Sequence, residues 1–317
     1  MVKYHGKRVT QGNRTPVLLA VLAAAVMVLT SAVLVYQKYW NEVPQLPDAS
    51  QNVPQPELED SSADAAQDVI SPPDDPPAAA PSYDFSQPAP ESETVDNRYF
   101  DDAAFVGDSR TDGLMIYSGI GTGKNLTSNG LSIFSLAEKK VLTIDGEKYT
   151  LLEALAMEEY GKVYISLGVN ELGIYKDKSF YSSYCDAIDQ VRLVQPRAVI
   201  YIQGLIPLNE GQIEAYNGNK FNLSNEHLRV YNDLMRQVAE EKQVVYLDLY
   251  SEFADENGAL PEDLSRDGVH LKKEPCQQWL AYLKNHTVDF DTLYPDGPPV
   301  VSETEEPDWV TADGSGP

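Results

Sequence analysis

An α/β fold with a parallel sheet covered by helices on both faces is what this sequence predicts, on three observations. Short runs rich in β-branched and aromatic residues alternate with helical patterns between residues 98 and 285. One of those patterns carries a sustained apolar period of three and four residues. Three of the apolar runs also end directly in segments dense in chemistry-bearing side chains, where parallel sheets place their ligand sites.

The elements follow in order. Ala103-Ala104-Phe105-Val106 reads as the first strand, and Leu131-Ser132-Ile133-Phe134 as a short second one. Lys162 to Leu167, Ala198 to Gln203 and Val244 to Asp248 supply three more. Their near-continuous apolar character suits strands buried on both faces. Before the last of them, Ser224 or Asn225 can cap a helix running to about Lys242, with Leu228, Tyr231, Met235 and Val238 on one face. Trp279, Tyr282 and Leu283 suit a C-terminal helix, and no internal repeat is present.

The flanks differ in kind. Of the 317 residues, 49 are acidic and 24 basic, a formal net charge of −25. Residues 43–97 hold twelve Asp or Glu and no Lys or Arg, and residues 285–317 hold eight and none. The part between, 99–284, has 28 acids and 18 bases, or 18 − 28 = −10. Phosphate binding needs clustered Lys and Arg, so nucleic acid is excluded as a partner. Eleven of the 21 prolines fall in 43–97. Residues 37–97 therefore read as a disordered, partly extended linker and 286–317 as a disordered acidic tail.

Residues 17–36 read VLLAVLAAAVMVLTSAVLVY, twenty positions without a charge. About twenty such residues cross a bilayer core as a helix. The alternative is a signal peptide cut near Thr30-Ser31-Ala32, although signal-peptide apolar regions are shorter. Lys3, Lys7, Arg8 and Arg14 precede the segment and only Lys38 follows closely. The positive-inside rule then keeps residues 1–16 in the cytoplasm and places the 98–285 domain outside a cell membrane spanned once.

Three segments carry the chemistry. Phe105-Val106-Gly107-Asp108-Ser109-Arg110 runs from a strand into a helix start, where free N–H groups favour negative charge. Leu167-Gly168-Val169-Asn170-Glu171-Leu172 offers a side-chain amide able to donate to developing charge. Asp267-Gly268-Val269-His270-Leu271 pairs a carboxylate with an imidazole, the combination that activates a serine hydroxyl. Each also has a plain structural reading, as a helix cap or a turn. Of the four histidines, His5 precedes the apolar segment, His227 sits in a helix start and His286 begins the tail, so a Ser–His enzyme of this sequence would have one good candidate base, His270. Cys185 and Cys276 belong to no metal pattern and read as separate, partly buried thiols, with one disulfide as the alternative. No cluster has ligand-like spacing, so neither a metal nor another cofactor is expected.

With Gly107-Asp108-Ser109, Gly168-x-Asn170-Glu171 and Asp267-x-x-His270 in this order, the chain resembles the SGNH (GDSL) hydrolase family over roughly 98–284. The stretches FVGDSRTDGL, VYISLGVNELG and DGVHLKKE look like its membrane-anchored branch in Gram-positive bacteria. The resemblance implies a three-layer α/β/α fold of flavodoxin-like type. It implies Ser109 as nucleophile, His270 as general base and Asp267 as its orienting partner. It also implies an oxyanion hole from the Ser109 N–H, a glycine N–H and the Asn170 amide, with Gly130 matching the glycine. Many members have Gly-x-Asn-Asp, where this chain has Glu171. Arg110 either meets an anionic substrate group or pairs with Asp112 or Glu171, the structural role being preferred.

The resulting expectation is an extracytoplasmic esterase that removes O-acyl groups, chiefly acetyl, from cell-wall or surface carbohydrate or another small ester. Two other readings stand beside it. One is an O-acyltransferase using the same triad with a partner-supplied donor. The other is a non-catalytic wall-binding domain, which would have no need for all four of Ser109, His270, Asp267 and Asn170.

Overall fold

The computed structural model describes residues 83–301. Five strands form one parallel sheet: β1 (Ala103–Gly107), β2 (Lys124–Thr127), β5 (Lys162–Ser166), β6 (Val199–Gln203) and β7 (Val245–Leu247), in the order β2-β1-β5-β6-β7. The register sets Val106 beside Ile165, Ile165 beside Ile202 and Gln203 beside Leu247. A separate antiparallel hairpin joins β3 (Leu142–Ile144) to β4 (Glu147–Tyr149). Its two turn residues, Asp145 and Gly146, have φ of 52° and 90°. Asp-Gly tolerates that left-handed pair, and such a turn matches the twist of the strands it connects.

The longer helices are α1 (Ser109–Tyr117), α3 (Asp177–Val194), α4 (Glu210–Asn217), α5 (Asn225–Lys242) and α7 (Lys273–Lys284), with short α2 (Leu151–Leu155), α6 (Leu249–Phe253) and α8 (Phe290–Leu293) between and after them. Side chains alternate across each strand, so β1, β5, β6 and β7 each feed two cores. Val106, Ile165 and Ile202 join α3 and α5 through Phe180, Ile188, Tyr231 and Met235. Phe105, Tyr164 and Tyr201 face the other way and join α1 and α7 through Leu114, Trp279 and Leu283. These three rings stand in register and stack across β1, β5 and β6 at 5.0 and 4.5 Å. The result is the three-layer α/β/α arrangement with a parallel sheet that the sequence predicts.

Two expectations need correction. The second strand is Lys124–Thr127, whereas Ile133–Ser135 is a 3-10 turn. On that edge strand only Leu126 is buried, so no apolar run marks it. Leu131, Ile133 and Leu136 are buried instead as the filling of a loop.

The domain also reaches beyond 98–285 on both sides. The Ala89 N–H donates to the Tyr246 carbonyl at 2.9 Å beside β7, and the Ser92 and Val95 N–H groups donate to Asn285 and Lys284 at 2.7 and 2.9 Å. Phe85 stacks on Tyr294 at 6.1 Å. His286, Val288, Leu293 and Tyr294 are buried. Residues 83–97 and 286–294 are thus part of the fold, not linker and tail. Their anchors are single apolar residues set among prolines and acids, which composition averages away. The proposed membrane segment 17–36, the rest of the linker and residues 302–317 lie outside the described residues. Among the described residues, no helix is long and apolar enough to cross a membrane. Cys185 and Cys276 are separate buried thiols.

Candidate active site

At the carboxyl end of β1 the chain turns directly into α1. A Cβ on Gly107 would collide with the Thr111 side chain and stand 2.9 Å from the Ser166 carbonyl oxygen. Only glycine lets β1 lie this close to both the helix and β5. Asp108 caps α1, its Oδ1 accepting from the Arg110 N–H at 2.9 Å. Ser109 is the first residue of the helix, at the positive end of its dipole.

Ser109 Oγ lies 2.9 Å from His270 Nε2, and His270 Nδ1 lies 2.8 Å from Asp267 Oδ2. A carboxylate only accepts, so Nδ1 carries the proton and Nε2 turns its lone pair to the serine hydroxyl. The other oxygen of Asp267 accepts from the backbone N–H groups of His270 and Val269 at 2.8 and 3.0 Å. Burial pushes the Asp267 carboxyl up, but the backbone and ring donors of His270, with Val269, outweigh it and hold the carboxyl below its ordinary range. Asp267 is thereby kept ionised opposite the imidazole.

Two residues shape this turn. Gly268 has φ of 88°, and a Cβ there would run into the Asn209 carbonyl and stand 2.6 Å from Ile213 on α4. Ser265, which sequence reasoning did not single out, accepts from the Gly268 N–H at 2.8 Å and donates to the His270 carbonyl at 3.2 Å. It closes the loop whose far end bears the imidazole.

Asn170 arrives from the end of β5, on the 3-10 turn Val169–Glu171. Its Nδ2 donates to the Leu131 carbonyl at 2.9 Å and to Asp108 Oδ2 at 3.2 Å. The side-chain amide is thus fixed beside the capping residue that precedes Ser109. Gly130 lies in a turn closed by Leu131 N–H to Ser128 O at 3.0 Å, with φ of 72°. The Ser128 N–H donates to the Gly107 carbonyl at 3.1 Å, which holds that turn at the same end of β1. The structure therefore brings all five sequence-predicted residues, from the ends of β1 and β5 and from two loops, to the carboxyl-end side of the sheet.

Residues 105–274 match the family model for GDSL-like lipases and acylhydrolases. The chain belongs to that family. This GDSL hydrolase is accordingly an enzyme of the ester-hydrolysing kind. No curated protein matches it. Among solved structures it is similar to one assigned as a platelet activating factor from Streptococcus pneumonia, at 21% identity and a TM-score of 0.47 over 64% of this chain and 86% of that one. It is also similar to a GDSL-like lipase from Bacteroides thetaiotaomicron, at 14% identity and a TM-score of 0.43 over 59% of this chain and 87% of that one. A third is a peptidoglycan O-acetylesterase, at 17% identity and a TM-score of 0.39 over 50% of this chain and 45% of that one.

Beneath the site of this hydrolase lie buried charges. Arg110 pairs with neither Asp112 nor Glu171. Its Nη1 donates to the Ile206 carbonyl at 2.9 Å, while Asp112 accepts from Asn125 and Thr127. Burial lowers the Arg110 pKa to about 10 and raises that of Asp108 to about 6. Glu171 is fully buried; one carboxyl oxygen accepts from the Ile133 N–H and the other has no partner. The Glu for Asp difference thus lets the side chain reach across and anchor the loop that carries Gly130.

Burial pushes Glu171 up to about 7, against the pull of its Ser132 and Ile133 donors. A carboxyl raised in the fold loses stability as pH climbs from its unfolded value to its folded one, because the unfolded chain releases the proton first. Glu171→Gln keeps an acceptor for Ile133 and cannot ionise. At pH 8 it is expected to exceed the wild type in stability by about 1–3 kcal/mol, and to lose that advantage near pH 5. Thermal unfolding at both pH values checks this; an advantage equal at the two would refute it.

Proposed function

We propose that this chain is a membrane-anchored, extracytoplasmic serine esterase that removes O-acyl groups, chiefly acetyl, from cell-wall or surface carbohydrate. The observation that carries the reading is the unbroken relay from Ser109 Oγ through His270 to Asp267, at 2.9 and 2.8 Å. The uncharged segment 17–36, with four basic residues before it, supports attachment with the domain outside.

In this reading Ser109 Oγ attacks the ester carbonyl while its proton passes to His270 Nε2. Asp267 stabilises the imidazolium that forms. The Ser109 and Gly130 N–H groups and the Asn170 amide receive the negative oxygen. The carbonyl–oxygen bond to the sugar then breaks, and His270 returns the proton to the departing sugar hydroxyl. Water next attacks the acyl-enzyme, giving its proton to His270. The acid leaves and Ser109 regains its proton.

The test uses spheroplasts producing the full chain, supplied with acetylated wall glycan too large to enter. Free acetate in the medium, absent with Ser109→Ala, is the expected result. Release only after lysis would overturn the outward placement. Transfer of acetyl to added glycan, with little free acetate, would overturn hydrolysis in favour of a transferase.

A further inference from the structure

Four large side chains that the mechanism does not use are exposed on two adjoining segments beside the site. Tyr216 and Phe221 are 71% and 70% exposed, and Tyr175 and Ile174 are 54% and 46%. Both segments continue from catalytic elements. Ile174 and Tyr175 follow Asn170 by a few residues. Tyr216 is three residues beyond Ile213 on α4, and Ile213 packs under Gly268 in the turn that bears His270. The segments also touch: Gly173 lies so close against the Phe221 carbonyl that no Cβ would fit, and Asn222 Nδ2 donates to the Tyr175 hydroxyl at 3.4 Å. Together they form an arc from the Asn170 loop to the His270 turn.

The arc is built stiffly. Tyr175, Asn219 and Asn222 have positive φ of 54°, 43° and 52°. Left-handed backbone at an aromatic residue costs energy and persists only where its surroundings impose it. The Tyr175 ring lies flat on buried His227 at 4.2 Å, and His227 Nε2 is held at 2.8 Å by Asp177. Asn219 closes the 219–223 loop by bonding both the N–H and the carbonyl of Leu223 at 2.9 Å. Exposed aromatic rings are thus presented from a fixed frame, where burial would have been the cheaper fate of their surface.

The chemistry of the arc selects its occupant. Along the chain Tyr216 and Phe221 are separated and flanked by Asn217, Asn219, Lys220 and Asn222. An aromatic face carries negative charge density and attracts the polarised C–H bonds on the flat side of a sugar ring. The exposed Lys220 ammonium and Asn222 amide oxygen, on either side of Phe221, suit hydroxyls at the sugar's rim, while the Asn219 amide is taken up by Leu223. An acyl chain would instead need an unbroken apolar trough. We propose that this arc is a glycan-binding subsite, in which Tyr216 and Phe221 stack on sugar units neighbouring the one that carries the scissile ester. The proposal rests on the carbohydrate-esterase reading above and adds the residues that recognise the chain.

The test compares the full-length protein with Tyr216→Ala, Phe221→Ala and the double variant, whose truncated side chains are mostly in solvent. On acetylated oligosaccharide each single change is expected to raise KM about 3–10-fold with kcat unchanged. Kinetics on p-nitrophenyl acetate should not move. Equal losses on both substrates, or unchanged KM on the oligosaccharide, would overturn the subsite. So would a loss confined to long-chain acyl esters. A second readout is independent of turnover: calorimetric binding of an unacylated β-linked N-acetylhexosamine oligosaccharide. Binding by the wild type that the double variant loses supports the subsite even if glycan ester hydrolysis fails. No binding by the wild type overturns it, even if glycan esters are hydrolysed.

Discussion

Ser109→Ala is expected to lower kcat on short acyl esters by roughly 10,000-fold to a million-fold, with His270→Ala close behind and the double variant no worse than either alone. The non-additivity follows from the relay. Without the hydroxyl, the His270 Nε2 lone pair has no proton to take; without the imidazole, the hydroxyl keeps its proton and remains a poor nucleophile. The fold should tolerate both changes. Ser109 Oγ bonds only His270, and α1 is capped by Asp108, which is untouched. The His270 side chain is 44% exposed. Single-turnover assays and organophosphonate labelling give the answer. Normal labelling of Ser109→Ala, or a double variant much worse than either single one, would remove the pair from the mechanism.

This site was legible in the sequence to the extent that its contacts are local. Asp267 and His270 are three residues apart, and Gly268 lets the chain fold so that one carboxylate meets both the backbone and the ring of His270. The Ser109 contact spans 161 residues of chain. It was reachable only because a parallel sheet brings the ends of β1 and β5 and the loops beyond β7 to the same edge. What escaped notice lacks such a signal. Arg110 bonds a backbone carbonyl 96 residues away, and any residue could have supplied that oxygen. Strand β2 lies at a sheet edge and needs only Leu126 inside, so its sequence looks like a loop. The Ala89 and Val288 segments are held by backbone bonds to Tyr246 and to the Tyr201 hydroxyl, which composition cannot reveal. The hairpin around Asp145-Gly146 did have a signal, a two-residue turn dipeptide, and could have been found.

Asn170→Ala is expected to reduce kcat by roughly 100- to 1,000-fold, the usual cost of one lost oxyanion donor, while KM changes little. In the resting site both Nδ2 protons are engaged, one by Leu131 and one, at the longer 3.2 Å, by Asp108. An incoming oxyanion therefore replaces or shares the Asp108 contact, and Leu131 keeps the amide aimed while it does so. Asp108, raised by burial to about 6, is ionised at neutral pH and competes for that proton. Donation to the transition state is accordingly an exchange between two negative oxygens, not the capture of a free donor. Glu171→Gln offers the control, since that side chain reaches Ile133 and not the reacting atoms. It should cost far less in kcat than Asn170→Ala. Thermal unfolding separates the loss of a loop anchor from the loss of a donor: the Asn170→Ala deficit should persist at temperatures where the variant is fully folded. Equal kcat losses for the two variants would show that the loop's position, and not the Asn170 amide, governs the rate.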